Sequence, residues 1–421
     1  MQGAPIAACC LALVAANWLP GQDPTVSAGH DHFYNLEYDE AIADFNAGVA
    51  QHSDDPNAWN HLAHAILYRA MFRSGALESE LVTGSNPFLR REKVAIDPAD
   101  DQRFDHAIRK AIEISQARLE AKADDPQGLG PLGVSYALRS NYNFLVRKAW
   151  LDSLHDATDA RKAHKRLSEI EPDNVDARMI PGVYDYVVGS LPLGYRILGF
   201  MAGYHGDRSR GIRTLQTVAR AGKANHVDAE IVLAAIYRRE RRPADAVPLL
   251  EDLIRRFPRN YLLRFEIVQM YSDLGDKEHA LAEIERIWSL ERDRAPGFTE
   301  LAPEKIDYLE GNLLFWYNDL DQALAHMKKV VLKTSGLDLN TSIMSWMRLG
   351  QIYDLQGRRS AATAAYRKAI ALAPQSEVGK ESRGYIAKPY KRTQPPATPS
   401  VSEGTTKNEK QETRNERCQT I

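Results

Sequence analysis

Residues 346–374 read WMRLGQIYDLQGRRSAATAAYRKAIALAP. Trp346, Leu349, Gly350 and Tyr353 share one helical face, Ala362, Tyr366 and Ala369 share another, and Pro374 closes the segment. The spacing predicts two short helices joined by a turn, with the bulky residues of the first filling the room left by small residues of the second. A helix of about 12 to 15 residues is marginal alone. Such a pair cannot bury its apolar face by itself, so one clear copy predicts neighbouring copies and an array.

The same template slides upstream. Ala246 and Ala280 are 34 residues apart: Leu233, Ala234 and Tyr237 precede the first, with Pro258 closing that unit, and Ile267 and Tyr271 precede the second across Leu274-Gly275-Asp276. Gly311, Leu314, Ala323, Met327 and Val330 give a further copy at a longer spacing, read as insertions in loops. Near the other end, Tyr38 to Gly48 carries Ala41 and Phe45 at the two signature positions of a second helix, and Trp59 with Leu62 opens the next unit. Ala160, His164, Leu167 and Pro172 form another second helix, and Ala111 with Leu132, Gly133 and Tyr136 a weaker match. About seven units are expected on this period.

These residues resemble the tetratricopeptide repeat superfamily from about Phe33 to Ala373. The resemblance implies an all-α fold, a right-handed superhelical solenoid of helical hairpins with two insertions, and a concave surface lined mostly by first helices. The expected organisation is a signal peptide over residues 1–20, a helical block over 33–220 with insertions near 71–105 and 184–207, a second block over 221–387, and a disordered tail over 388–421.

Charge is balanced, 54 basic against 56 acidic residues, which argues against a nucleic-acid partner, since that calls for a basic face. The runs Arg208 to Arg213 and Arg238 to Arg242 fall at a helix start and a helix end, where a solvated turn is the simpler account. The three cysteines, at positions 9, 10 and 418, lie outside the repeats, so no disulfide or thiolate metal site is expected within them. Ala4 to Ala16 has the length and composition of a signal-peptide core, with Val14-Ala15-Ala16 as a cleavage candidate, although no Lys or Arg precedes it. Ile6-Ala7-Ala8-Cys9 also looks like a lipoprotein box. An exported, envelope-associated bacterial protein is expected, with a cytoplasmic one as the alternative. From Lys388 onward the chain is too poor in large apolar residues to offset the entropy of ordering.

The two insertions are where specific function would hide. Residues 71–103 contain Leu77, Leu81, Val82, Phe88 and Leu89 and exceed an ordinary connection, so folding against the concave side is expected, with a plain extension of the preceding repeat as the alternative. Residues 184–207, YDYVVGSLPLGYRILGFMAGYHGD, are glycine-dense and interrupted by Pro192, which predicts a broken pair of short apolar helices packed between repeats. Peripheral contact with a membrane is the other use of this segment; it is too short and interrupted to span one. Ser190, Leu191 and Pro192, followed by Gly203, Gly206, Asp207, Arg208 and Gly211, resemble the signature of the Iml2 and tetratricopeptide-repeat-protein-39 family. Tyr204 stands where that family has phenylalanine. The resemblance implies a shared local structure ahead of a repeat helix.

No catalytic constellation is expected and no cofactor is implied. His61 and His64 share a helix face but lack the glutamate of a zinc hydrolase. Asp31 in His30-Asp31-His32, placed ahead of the first helix, is expected to be an N-cap. The register of first helices offers Arg238, Phe265, Gln269, Tyr308, Asn312, Met347 and Gln351 as a partner-binding groove, each of which could equally be inter-repeat packing. In chaperone-binding members of the superfamily a lysine and an asparagine clamp a terminal carboxylate. Ile231, Phe265, Tyr308 and Met347 stand where that lysine would be, so the groove implied here suits an apolar helix or extended segment of a protein or peptide partner.

Overall fold

The computed structural model describes residues 24–77, 93–191, 193–194, 196, 204–333 and 337–392. Among them are seventeen α-helices and no strand, and the chain is an all-α solenoid of helical hairpins. The first helices pair in order with the second: α1 (Pro24–Tyr34) with α2 (Tyr38–Gln51), α3 (Pro56–Arg73) with α4 (Pro98–Ala121), and α5 (Pro126–Tyr142) with α6 (Trp150–Ile170). Then come α7 (Met179–Gly189) with α8 (Arg208–Ala221), α9 (His226–Arg239) with α10 (Pro243–Arg256), and α11 (Tyr261–Leu274) with α12 (Lys277–Arg292). The last two hairpins join α13 (Pro303–Trp316) to α14 (Leu320–Leu332) and α15 (Leu339–Leu355) to α16 (Arg359–Leu372), and α17 (Glu377–Ala387) covers the end. The described residues thus hold eight hairpins where about seven were expected.

Helix starts follow local chemistry. Pro56, Pro98, Pro126, Pro243 and Pro303 occupy the first turn of their helices, where a missing N–H costs nothing. Asp55, Asp97, Asn260, Asp276 and Asp338 accept from backbone N–H groups as N-caps.

The repeat is visible as one steric constraint. In the first hairpin a Cβ added at Gly29 would lie 2.5 Å from the Phe45 ring, and in the eighth one at Gly350 would lie 2.5 Å from Tyr366. Gly133 abuts His164 in the third hairpin and Gly311 abuts Met327 in the seventh in the same way. The fourth hairpin inverts the arrangement, because a Cβ added at Gly211 on the second helix would lie 2.5 Å from the Tyr186 backbone nitrogen. A second marker is the turn residue five positions before each signature small residue. Leu36, Arg241, Gly275, Asn318 and Gly357 all take positive φ, between 55° and 80°, in the first, fifth, sixth, seventh and eighth hairpins.

Several expectations shift. The first helix begins at Pro24, so His30, Asp31 and His32 lie inside it, and Asp31 pairs with Arg259 rather than capping. Tyr184 to Gly189 is the end of first helix α7, with Tyr184, Tyr186, Val187 and Val188 buried in the core, so the insertion starts at Ser190. Residues 388–392 pack back: the Tyr390 N–H donates to Asp354 Oδ2 at 2.8 Å and Arg392 donates to the Phe315 and Trp316 carbonyls. The core also runs unbroken across the expected 220/221 boundary, joining Leu215 and Val218 to Val227 and Ala229. The proposed signal segment, the cysteines, Pro192, Gly203, Leu81, Val82, Phe88, Leu89 and the tail beyond 392 lie outside the described residues.

Gly211→Ala is expected to lower unfolding free energy by about 1–3 kcal/mol through overpacking. Arg241→Gly should raise it by up to about 1 kcal/mol, because a left-handed turn residue is relieved of its Cβ. Urea unfolding of both variants checks the pair: a Gly211→Ala variant as stable as the parent, or an Arg241→Gly variant less stable than it, would contradict the packing account.

Candidate functional site

The groove positions do not face an open channel, because the first two hairpins lie against the fifth to eighth. The closure is built on Arg259, in the loop between α10 and α11. Its guanidinium reaches Glu37 Oε1 at 2.8 Å and Asp31 Oδ2 at 2.5 Å, and its backbone N–H donates to Asn35 Oδ1 at 3.0 Å. Beside it Asn260 donates to the Tyr34 carbonyl at 2.7 Å, and the Tyr34 and Phe257 rings lie 4.9 Å apart. The Tyr34 hydroxyl donates to Asp228 Oδ2 at 3.0 Å. Farther along, Phe72 of α3 meets Tyr261 of α11, and Gly75 packs on the Asp338 side chain.

Between these elements is a partly open cavity of about 220 Å³. Phe33, Tyr34, Leu36, Tyr38, Tyr68, Met71, Ala76 and Leu77 line it from the first two hairpins. Ile231, Ala234 and Ala235 of α9, Leu263, Phe265, Glu266 and Gln269 of α11, and Lys305, Tyr308 and Leu309 of α13 line it from the other side. Lys305 pairs with Asp338 at 3.0 Å, and Glu266 pairs with Arg238 at 3.0 Å.

The structure therefore brings Phe265, Gln269 and Tyr308 to one surface, and Arg238 sits behind it as the partner of Glu266. Asn312 is buried on α13. Met347 packs in the C-terminal core, and Gln351 accepts from Arg348 at 2.8 Å; neither lines the cavity. Residues after α3 do turn to the concave interior as far as Leu77. The contributors from the first two hairpins, Phe33, Tyr34, Tyr38 and Tyr68, escaped the sequence reading, since nothing periodic links them to residues about two hundred positions away.

The glycine-rich motif is a packing joint. A Cβ at Gly206 would meet Gly189 N at 2.7 Å, so α7 and the entry to α8 touch backbone to backbone, as they do at Gly211. Asp207 caps α8 by accepting from the Arg210 N–H at 2.6 Å, Arg208 pairs with Glu240, and Arg210 holds Asp185 with two bonds. Ser190 ends α7, and Leu191 follows it half-buried.

Burial sets the electrostatics. It pushes the Asp228 carboxyl up to about 7, and the Tyr34 hydroxyl bond opposes this only in part. The other Asp228 oxygen, Oδ1, has no donor. Burial pushes His64, packed between the Phe33 and Tyr68 rings, down to about 3, and His164 down to about 4. His61 is likewise buried, against His30 and Phe45.

Two family models described as tetratricopeptide repeat match, one over residues 345–376 and the other over 26–69, 202–260 and 231–290. No curated protein matches the chain. Similar solved structures include the human IFIT1 dimer with m7Gppp-AAAA, at 14% identity over 87% of this chain and 83% of that one, TM-score 0.41. Yeast Tom70 matches at 12% identity over 87% and 89%, TM-score 0.38. A tetratricopeptide repeat protein from Parabacteroides merdae matches at 13% identity over 76% and 97%, TM-score 0.31. The likeness of residues 190–211 to the Iml2 family rests on those residues alone.

The raised Asp228 carboxyl gives a signed pH effect. A buried acid whose folded pKa exceeds its unfolded value of 3.8 costs little below that value, and the cost grows as pH rises towards about 7. The two histidines act oppositely, withdrawing stability as pH falls below 6.5. Asp228→Asn keeps the acceptor for Tyr34 and is expected to stabilise the chain at pH 8 by about 1–3 kcal/mol, with a smaller gain at pH 5. Thermal unfolding at both values reads this, and a gain independent of pH would refute it.

Proposed function

We propose that this chain of tetratricopeptide repeats is a protein-interaction scaffold whose concave face binds an apolar helical or extended segment of a partner. The observation that carries the reading is the convergence of Phe265 and Gln269 on α11 with Tyr308 on α13, first helices of successive hairpins, at one partly open apolar surface. Recognition by such a surface uses large apolar anchors seated in a pocket rather than a charge clamp. The lysine position of the carboxylate clamp is apolar in four hairpins, at Ile231, Phe265, Tyr308 and Met347, which favours the same chemistry.

The groove is narrower than an open array would give, because hairpins one and two occupy part of it. Partner entry would therefore be limited to segments that fit beside Tyr38 and Tyr68, or would require the first hairpins to move. The apolar stretch Ala4 to Ala16 supports extending the proposal to an exported scaffold in a bacterial envelope; sequencing the N-terminus of the mature chain from its host would test that, and an intact Met1 would count against cleavage.

Crosslinking of the intact chain in its host is expected to capture a specific partner. Changing Phe265 and Tyr308 together to glutamate should abolish capture, with circular dichroism confirming that the helices persist. A control on the solvent face, Lys368→Glu, should leave it intact. Unchanged capture by the double variant would overturn the groove assignment.

A further inference from the structure

We propose that the cavity between the first two hairpins and hairpins five to seven binds a small uncharged amphiphile: an apolar body of about eight to ten carbons with one hydroxyl group. The size follows from the volume. A dry engineered cavity of about 150 Å³ takes benzene, and about 220 Å³ lined by Phe33, Leu263, Phe265 and Tyr308 takes a proportionately larger body.

The polar group follows from hydroxyls that no other described residue satisfies. Tyr38 and Tyr68 are 5% and 7% exposed, their rings line the cavity 6.4 Å apart, and neither hydroxyl has a hydrogen-bond partner among the described residues. Glu266, also on the lining, has an Oε1 with no donor. Two hydroxyls able to donate and one oxygen able to accept match a single alcohol group, which both accepts and donates, and burying such groups unpaired is unfavourable.

Neutrality follows from the charges. Both charged residues on the lining are already compensated, Lys305 by Asp338 and Glu266 by Arg238, each at 3.0 Å. A carboxylate or ammonium entering this space would be a buried charge without a partner. Because its two walls come from hairpins far apart in the sequence, an occupant would also hold the first hairpins in place.

The site overlaps the surface proposed for a protein partner, yet ligand binding is read on the chain alone. Its failure would leave the scaffold reading standing, and failure of partner capture would leave this one. The test uses the full chain and 1-octanol, with octanoate and octylammonium as charged counterparts, followed by calorimetry and thermal unfolding. Saturable binding of one 1-octanol per chain with a raised Tm is expected, with both charged molecules at least tenfold weaker. Ala235→Phe, which fills the cavity from α9, should weaken 1-octanol at least tenfold. Tyr38→Phe combined with Tyr68→Phe should weaken it severalfold and leave the helical signal unchanged, which keeps the proposal testable if Ala235→Phe does not fold. Non-saturable uptake, equal binding of octanoate, or affinity unchanged in both variants would overturn it and leave the tyrosine hydroxyls serving only ordered water.

Discussion

The architecture depends on how closely two helices of one hairpin can approach. At Gly29, Gly133, Gly311 and Gly350 the first helix offers bare backbone to a large side chain of the second, Phe45, His164, Met327 or Tyr366. With no Cβ in the way, a ring or thioether lies flat on the partner helix and fills the gap completely, as close-packed interiors require. The fourth hairpin solves the same problem with glycine on the second helix, at Gly211. Because each hairpin is tight, its remaining apolar surface faces only its neighbours, and the chain propagates as a stack.

Stacking alone does not say how the ends of the array relate. That is decided by a small set of contacts around Arg259, Asn260 and Asp228, which fasten the turn after α1 to the fifth and sixth hairpins. Their energetic characters differ. Arg259 is a half-exposed fork on two carboxylates, sensitive to salt, whereas Tyr34 and Asp228 form a buried pair whose carboxylate is poorly compensated. The second is weak evidence for stability and strong evidence for a specified geometry, since few arrangements tolerate it. Closing the array in this way converts the concave face from a channel into a small apolar interior.

Much of this was legible in the residues. The register of Ala246, Ala280, Ala323 and Ala362 located the second helices, and all four are fully buried. The glycine density around residues 189–211 announced close backbone contact, which Gly189, Gly206 and Gly211 make. The misreadings are equally specific. Asp31 looked like a cap because the first helix was placed after His32, whereas it begins at Pro24, and Tyr184 to Gly189 looked like an insertion because an unusually apolar first helix resembles a wedge. For the candidate site, repeat register named Phe265, Gln269 and Tyr308, which line the cavity, and Met347, which at the equivalent register position packs in the C-terminal core.

The sequence by itself determined the hairpin, its period and the all-α class, because these rest on contacts between residues a few turns apart, where spacing reports packing directly. Only the tertiary structure decided that Phe33, Tyr38 and Tyr68 share an interior with Phe265 and Tyr308. That juxtaposition depends on the accumulated rotation of several stacked hairpins and on single polar contacts such as Arg259 with Glu37, which leave no periodic trace in the chain.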